Sequence, residues 1–225
     1  MKKIVLTASV VSALILNASA QSTVSMVRTA PKTTFGIHGG VNFFNITGKS
    51  ADGGDVSNDV VTGFSGGVNA EIPLGAGAYL QPGVDFTRKG AENGNNKVTL
   101  NYIDIPVTFI YKPILGRGNL VLGAGPYVGI GVGGKSKFSN SGNTAAIEQD
   151  VVFTNDYNTN TPSVPQFSKL DAGANFLAGY EFANKVSLNL KAQLGLKKIN
   201  PETNNSNDET SLKNTGFGLS VGYRF

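Results

Sequence analysis

From Asn101 to Gly131 the chain reads NYIDIPVTFIYKPILGRGNLVLGAGPYVGIG, two long strands joined by a turn at about Pro113 to Asn119. Each strand has one uninterrupted apolar face. On the first, Ile103, Ile105, Val107, Phe109 and Tyr111 share a side, and Tyr102, Asp104, Pro106 and Thr108 share the other. On the second, Leu120, Leu122, Ala124, Pro126, Val128 and Ile130 oppose Val121, Gly123, Gly125, Tyr127 and Gly129. Successive strand side chains point to opposite faces, so period-two patterning over this length predicts a sheet with one apolar side. That side must meet either a protein core or lipid.

The pattern recurs along the chain. Further strands are predicted at about Phe35–Asn45, Thr62–Ile72, Ala78–Lys89, Lys169–Phe182, Val186–Leu196 and Thr215–Phe225, which makes eight. Their connections alternate in length. Ile46–Val60, Gly90–Lys97, Val132–Pro165 and Lys197–Lys213 are long, while Pro73–Gly77, Pro113–Asn119 and Ala183–Lys185 are short. If every strand crosses one layer, the long connections gather at one end and the short turns at the other, as in transmembrane barrels. Inside the longest connection, EQDVVFTNDY either extends a strand beyond the membrane or caps the barrel.

Composition then separates lipid from a core. Charged residues are only 15 % of the chain and glycines number 29, so the polar face lacks the Lys and Glu of a soluble exterior. Strands of about ten residues suit a tilted crossing of the hydrocarbon layer. A sheet in lipid must satisfy every backbone donor and acceptor internally, which forces closure. The expected fold is all-β: a single eight-stranded antiparallel up-and-down transmembrane β-barrel. At that size the lumen is filled by side chains. Pro82, Pro106 and Pro126 fall inside strands, where each removes a ladder donor, and local bulges are one way to accommodate them.

The first residues read as a targeting segment. Lys2 and Lys3 precede an apolar run from Ile4 to Leu16, and Ala18-Ser19-Ala20 supplies a small-x-small cleavage pattern. The expected organisation is a cleaved signal peptide at 1–20, a periplasmic tail at 21–34 and an outer-membrane β-barrel domain at 35–225. The chain has no Cys, which removes disulfides, thiolate metal sites, Cys nucleophiles and a lipoprotein anchor.

The inward charges are the candidate site. Glu71, Asp85, Asp104, Asp171 and Glu181 can meet Lys191, Arg224 and His38 in a lumen polar network, because buried charges are tolerated when paired. A network that plugs the lumen is preferred over a proton or ion path through the same residues. Tyr223 and the terminal Phe225 form a candidate insertion signal, and they also suit an interfacial aromatic girdle. No catalytic residue is predicted: His38 is the only histidine and has no nucleophile-elbow context. GAGPYVGIGVGG lacks the βαβ setting of a dinucleotide loop. ADGGDVSND lacks the ligand spacing and late Glu of an EF-hand, so no metal and no cofactor is expected. The net charge of +4 is spread along the chain with no basic run, which argues against nucleic acid as a partner.

YIDIPVTFIYKP, GAGPYVG, LDAGANFLAGYEF and the terminal GLSVGYRF together resemble the PorT-like outer-membrane β-barrel family. Tyr102, Asp104, Ile105, Pro106, Gly125, Pro126, Tyr127, Gly222, Tyr223, Arg224 and Phe225 carry the match. The resemblance implies a Gram-negative outer membrane and insertion from the periplasm by the barrel-assembly machinery. It implies little about activity, although the name-giving member serves protein secretion. The expected function is a monomeric, non-enzymatic outer-membrane protein with a structural or surface-binding role through its long extracellular loops, not an open porin. Its partners would be outer-membrane lipid and a surface ligand. The alternative is an accessory membrane subunit of a protein-secretion machine, with secretion-complex proteins as partners.

Overall fold

Period-two patterning is realised as one antiparallel sheet that closes on itself. A computed structural model of the chain describes residues 32–56, 58–138, 147–155, 164–201 and 209–225. The segment read as a signal peptide and the tail up to residue 31 lie outside the described residues. The strands are β1 (Thr34–Lys49), β2 (Asp59–Gly75), β3 (Ala78–Asn93), β4 (Asn96–Tyr111), β5 (Ile114–Leu115) and β6 (Gly118–Phe138). They continue with β7 (Ile147–Asp150), β8 (Val152–Phe153), β9 (Gln166–Phe167), β10 (Leu170–Glu181), β11 (Val186–Gly195) and β12 (Ser211–Arg224). Eight of them form the wall: β1 to β4, β6 and β10 to β12. Each pairs antiparallel with its neighbours, and β12 with β1 and β6 with β10 complete the ring. The fold is the all-β, up-and-down, eight-stranded antiparallel barrel that the sequence predicts.

The two faces sort by chemistry. Phe35, Ile37, Phe64, Val68, Phe109, Leu190, Phe217 and Leu219 are exposed on the outer wall, whereas Asp85, Tyr102, Asp104, Tyr127, Asp171 and Asn175 are buried inside. A continuous apolar belt of this kind is a liability in water and suits hydrocarbon.

The first strands run further than expected. β1 to β4 have 16 or 17 residues and β6 has 21, against about ten needed for a crossing. The predicted polar loop at Gly90–Lys97 is instead a hairpin. β3 and β4 stay paired up to Asn93 and Asn96, and only Gly94 and Asn95 turn the chain. Gly94 has a φ of 56°, the left-handed conformation that such a turn needs and glycine adopts freely. Backbone pairing does not require an apolar face, so polar residues continue the ladder beyond lipid. β6 also passes Gly131, where the alternation breaks. Tyr102 pairs with Gly131 and Asn101 with Gly133, leaving Val132 as an extra residue. This β-bulge shifts the phase of the strand, so Ser136 is buried inside while Lys135 and Lys137 face outward.

The prolines are accommodated without bulges. Pro82 pairs with Val107 on β4, and its rung to β2 is absent between Asn69–Gly83 and Ile72–Leu80. Pro106 pairs with Tyr127, and its rung to β3 is absent between Pro82–Val107 and Asp85–Asp104. Pro126 pairs with Ala174, and its rung to β4 is absent between Pro106–Tyr127 and Phe109–Ala124. Each proline therefore skips a rung toward one neighbour and keeps register on the other side. The three form a diagonal across adjacent strands.

Strands approach closely on the inner face near this diagonal. A Cβ on Gly125 would run into the Val107 carbonyl oxygen and the Thr108 Cα of β4. Neither is a movable side-chain end. Gly125→Val should therefore lower barrel stability by about 2 kcal/mol, read as an earlier urea midpoint in detergent. An unchanged midpoint would show that the wall yields at this point.

Candidate functional site

Alternation delivers the polar residues of eight strands to one narrow lumen, where they meet in three groups. Nearest the short turns, Lys112 Nζ lies 2.8 Å from Glu71 Oε2 and 2.7 Å from Glu181 Oε2. Arg224 Nη2 reaches Glu71 Oε1 at 2.7 Å, and its Nη1 donates to Asn69 Oδ1 at 2.8 Å. Gln81 Nε2 donates to Glu71 Oε1 at 2.9 Å. In the second group Asp85 sits between Lys191 Nζ at 2.7 Å and His38 Nε2 at 3.2 Å. The other ring nitrogen of His38 lies 3.3 Å from Asn69 Nδ2, which links the two groups. Beneath these side chains a cavity of 70 Å³ is lined by His38, Glu71, Asp85, Lys112, Lys191 and Arg224.

The third group closes the lumen. Lys89 Nζ lies 3.1 Å from Asp104 Oδ1 and 3.0 Å from Asp171 Oδ2, and all three side chains are 0 % exposed. Two carboxylates share one ammonium. The surplus negative charge is met by hydrogen bonds from Gln193 Nε2 to Asp104 at 3.2 Å and from Asn214 Nδ2 to Asp171 at 3.0 Å, with Tyr127 OH 3.3 Å from Asp171. The ammonium also lies over the rings of Tyr127, Tyr102 and Phe44, at 4.6, 4.9 and 5.4 Å from their centroids. Desolvated cation–π contacts of this kind add to the ion pairs.

A lid of chain covers this group from the long-loop end. The described part of EQDVVFTNDY, residues 148–155, does both things the sequence left open. β7 extends the sheet beside β6, and β8 then turns inward to pair in parallel with β9. Phe153 packs edge-on against Tyr102, ring centroids 5.7 Å apart, in space left free by Gly131. Val151 and Phe167 join Ile46, Ala91, Leu100, Tyr102 and Ile199 in an apolar cluster. The β11–β12 connection contributes Ile199, whose carbonyl accepts from Ser168 N at 2.6 Å and whose N–H donates to Leu212 O at 2.8 Å.

All seven network residues named from the sequence point into the lumen, but they do not form one cluster. Glu71, Glu181 and Arg224 meet at the short-turn end, Asp85 and Lys191 above them, and Asp104 and Asp171 deepest of all. The cations that join the acids in the first and third groups, Lys112 and Lys89, were missed. Both continue an inward series already recognised: Gln81, Gly83, Asp85, Thr87, Lys89 on β3, and Asp104, Pro106, Thr108, Ile110, Lys112 on and just after β4. Both lie inside the predicted strands, Lys89 as the last residue of Ala78–Lys89 and Lys112 just before the turn at Pro113, so carrying each parity to the strand end finds them. Tyr223 and Phe225 lie on the outer wall at the short-turn end, exposed, with ring centroids 5.4 Å apart. Among the described residues no three His, Cys, Asp or Glu side chains converge as a metal site.

A closed eight-stranded wall with an apolar exterior and a charged, filled interior defines a small outer-membrane β-barrel. The chain belongs to the outer membrane protein beta-barrel domain family, whose model matches residues 20–201, and its place is the bacterial outer membrane. It is similar to the attachment invasion locus protein Ail of Yersinia pestis, at 15 % identity and a TM-score of 0.41, over 87 % of this chain and 100 % of that one. Neisserial surface protein A matches at 17 % identity and a TM-score of 0.45, over 86 % of this chain and 98 % of that one. The N-terminal β-barrel domain of Pseudomonas aeruginosa OprF matches at 13 % identity and 0.31, over 86 % and 100 %. No match was found among curated proteins. The long-loop end is accordingly extracellular and the short-turn end periplasmic.

Removing Lys89 would leave two carboxylates buried without a counter-charge. Lys89→Met should destabilise the assembled barrel by about 3 to 5 kcal/mol, measured by urea unfolding in detergent; wild-type stability would mean that the carboxylates do not need it. Deleting Phe225 should reduce the heat-modifiable, membrane-assembled fraction in cells, and normal assembly would remove the insertion-signal reading.

Proposed function

We propose that this chain is a non-conducting, non-catalytic surface protein that binds a ligand or partner through its capped extracellular end. The observation that carries this reading is the fully buried Lys89–Asp104–Asp171 group lying directly beneath an apolar lid. An ion crossing the lumen would have to separate those charges and displace Phe153 and Phe167, so transport is the function the interior suits least. The extracellular end is the part on which chain length is spent. β7, β8 and β9 and the Ile199 segment build structure there that closure of the wall does not need. A site on an extracellular surface held by a rigid barrel is a common arrangement for binding proteins. The reading includes a monomer, outer-membrane lipid around it and no cofactor.

The alternative is an accessory subunit of a protein-secretion machine. It is favoured by the YIDIPVTFIYKP, GAGPYVG and GLSVGYRF segments and their likeness to PorT-like barrels. Two measurements separate the readings. Planar-bilayer recording of the purified protein should show no large, stable open channels; their appearance would overturn the non-conducting reading. Crosslinking and pulldown from detergent-solubilised membranes should then be compared with a variant whose 139–165 connection is replaced by a short Gly-Ser turn. Co-purification that is lost in an otherwise assembled variant supports extracellular binding. Stable co-purification with export components that survives the replacement favours the secretion subunit.

A further inference from the structure

On one sector the outer wall changes character above the apolar belt. Going outward from Phe86, Ile103 and Ile130, the outward positions become Arg88 on β3, Thr99 and Lys97 on β4, and Lys135 and Lys137 on β6. They border a shallow depression of 490 Å³ together with Glu148 of β7. Arg88 follows Phe86 by two residues, and Lys135 pairs with Thr99 one step further out. At a rise of about 3.4 Å per residue and a tilt of about 40°, this band stands roughly 5 to 10 Å above the last outward aromatic ring. That is the depth of lipid headgroups, not of hydrocarbon.

Three features single the band out from an ordinary charged rim. Lys135 and Lys137 face outward because the extra Val132 shifts the phase of β6. Lys97 and Lys137 are direct cross-strand partners, a like-charge pairing that destabilises a sheet unless an anion lies between them. The carboxylates do not fill that gap. In register the row runs Glu92, Lys97, Lys137, Glu148, with the acids on the outside at 3.1 Å from their lysines. Lys135 also pairs with Glu148, and its hydrogen bond holds that carboxyl below the ordinary range, so the charges are in place at neutral pH. Asp150, the register partner of Lys135, and Asp59, the register partner of Glu92, are further carboxylates beside the band, so it carries no net surplus and the charge left without a carboxylate is that of Arg88. Finally, Arg88 has no carboxylate partner among the described residues. Its guanidinium lies 5.7 Å from the Phe64 ring centroid, and its Nε is buried without a hydrogen-bond partner.

We propose that this band binds the phosphate groups of an anionic outer-leaflet lipid, with Arg88, Lys97, Lys135 and Lys137 as its ligands. The guanidinium fork matches a phosphate in shape, and the lysines act as point charges around it. Phe64 and Phe86, stacked 5.6 Å apart just below, offer an apolar surface on which the acyl chains of the same lipid can lie. A lipid is favoured over a free anion because the cations sit directly above that lipid-facing surface. The proposal is independent of what the extracellular cap binds.

The test uses the full-length protein in detergent, loaded with diphosphorylated lipid A or the same lipid with its phosphates removed, and read by native mass spectrometry. Wild type should retain the diphosphorylated form in preference. The exposed double variant K135Q/K137Q should bind it about tenfold more weakly, and Arg88→Gln should weaken it independently. K197Q/K198Q removes two exposed lysines from the β11–β12 connection at the same end of the barrel and should bind as wild type does. Equal retention of both lipids, or the same loss in both double variants, would overturn the site. So would competition by inorganic phosphate at the affinity of the lipid, which would identify a free-anion site.

Discussion

Every backbone donor and acceptor in the hydrocarbon layer must be satisfied by another part of the chain, and here that requirement is met at one seam. β1 and β12 pair from Gly36–Arg224 to Lys49–Ser211, so the first and last wall strands leave no open edge. The remaining features follow from closing with only eight strands. The ring is narrow, its interior has room for side chains but not for a channel, and any charge on the inner face is withdrawn from both water and lipid. Such charges persist only in pairs. Lys89, Lys112, Lys191 and Arg224 are thus conditions of the closed fold as well as features of its lumen.

The same physics divides the molecule into surfaces with separate tasks. The outer wall is apolar because it meets acyl chains, and on one sector it gives way above the apolar belt to a charged band that includes Arg88, Lys97, Lys135 and Lys137. The lumen holds charges paired with one another. Above it, the apolar cluster around Phe153, Phe167 and Ile199 holds the described parts of two long connections over the barrel mouth. The proposed binding role needs a centre that resists passage and a defined surface outside, and the paired lumen charges and the apolar cluster are what support it.

Much of this was legible in the residues, and the exceptions share a cause. Alternation assigns Asp85, Asp104, Asp171 and Lys191 to the lumen because side-chain direction in a strand depends on parity alone. Lys89 and Lys112 have the same inward parity and stand at the very ends of their predicted strands, but parity does not tell which cation an inward acid meets. Parity also fails beyond Gly131. The Val132 bulge adds a residue without a marker in the local pattern, and only pairing with β4 shows that Lys135 and Lys137 have changed face. Bulges are one way to accommodate the prolines in a residue-by-residue reading, but the ladder instead tolerates a missing rung on one side where the other side holds register.

The sequence by itself determined the alternating strands, their number, the lipid-facing side and the inward acids, since each depends on local periodicity, chain length and the rule that a sheet in lipid must close. The tertiary structure decided which acid meets which cation, how the β8–β9 segment covers the lumen, and how Arg88, Lys97, Lys135 and Lys137 come to share one patch. Those outcomes depend on register between strands distant in sequence. A shift of one residue there reverses every face, and no local pattern records it.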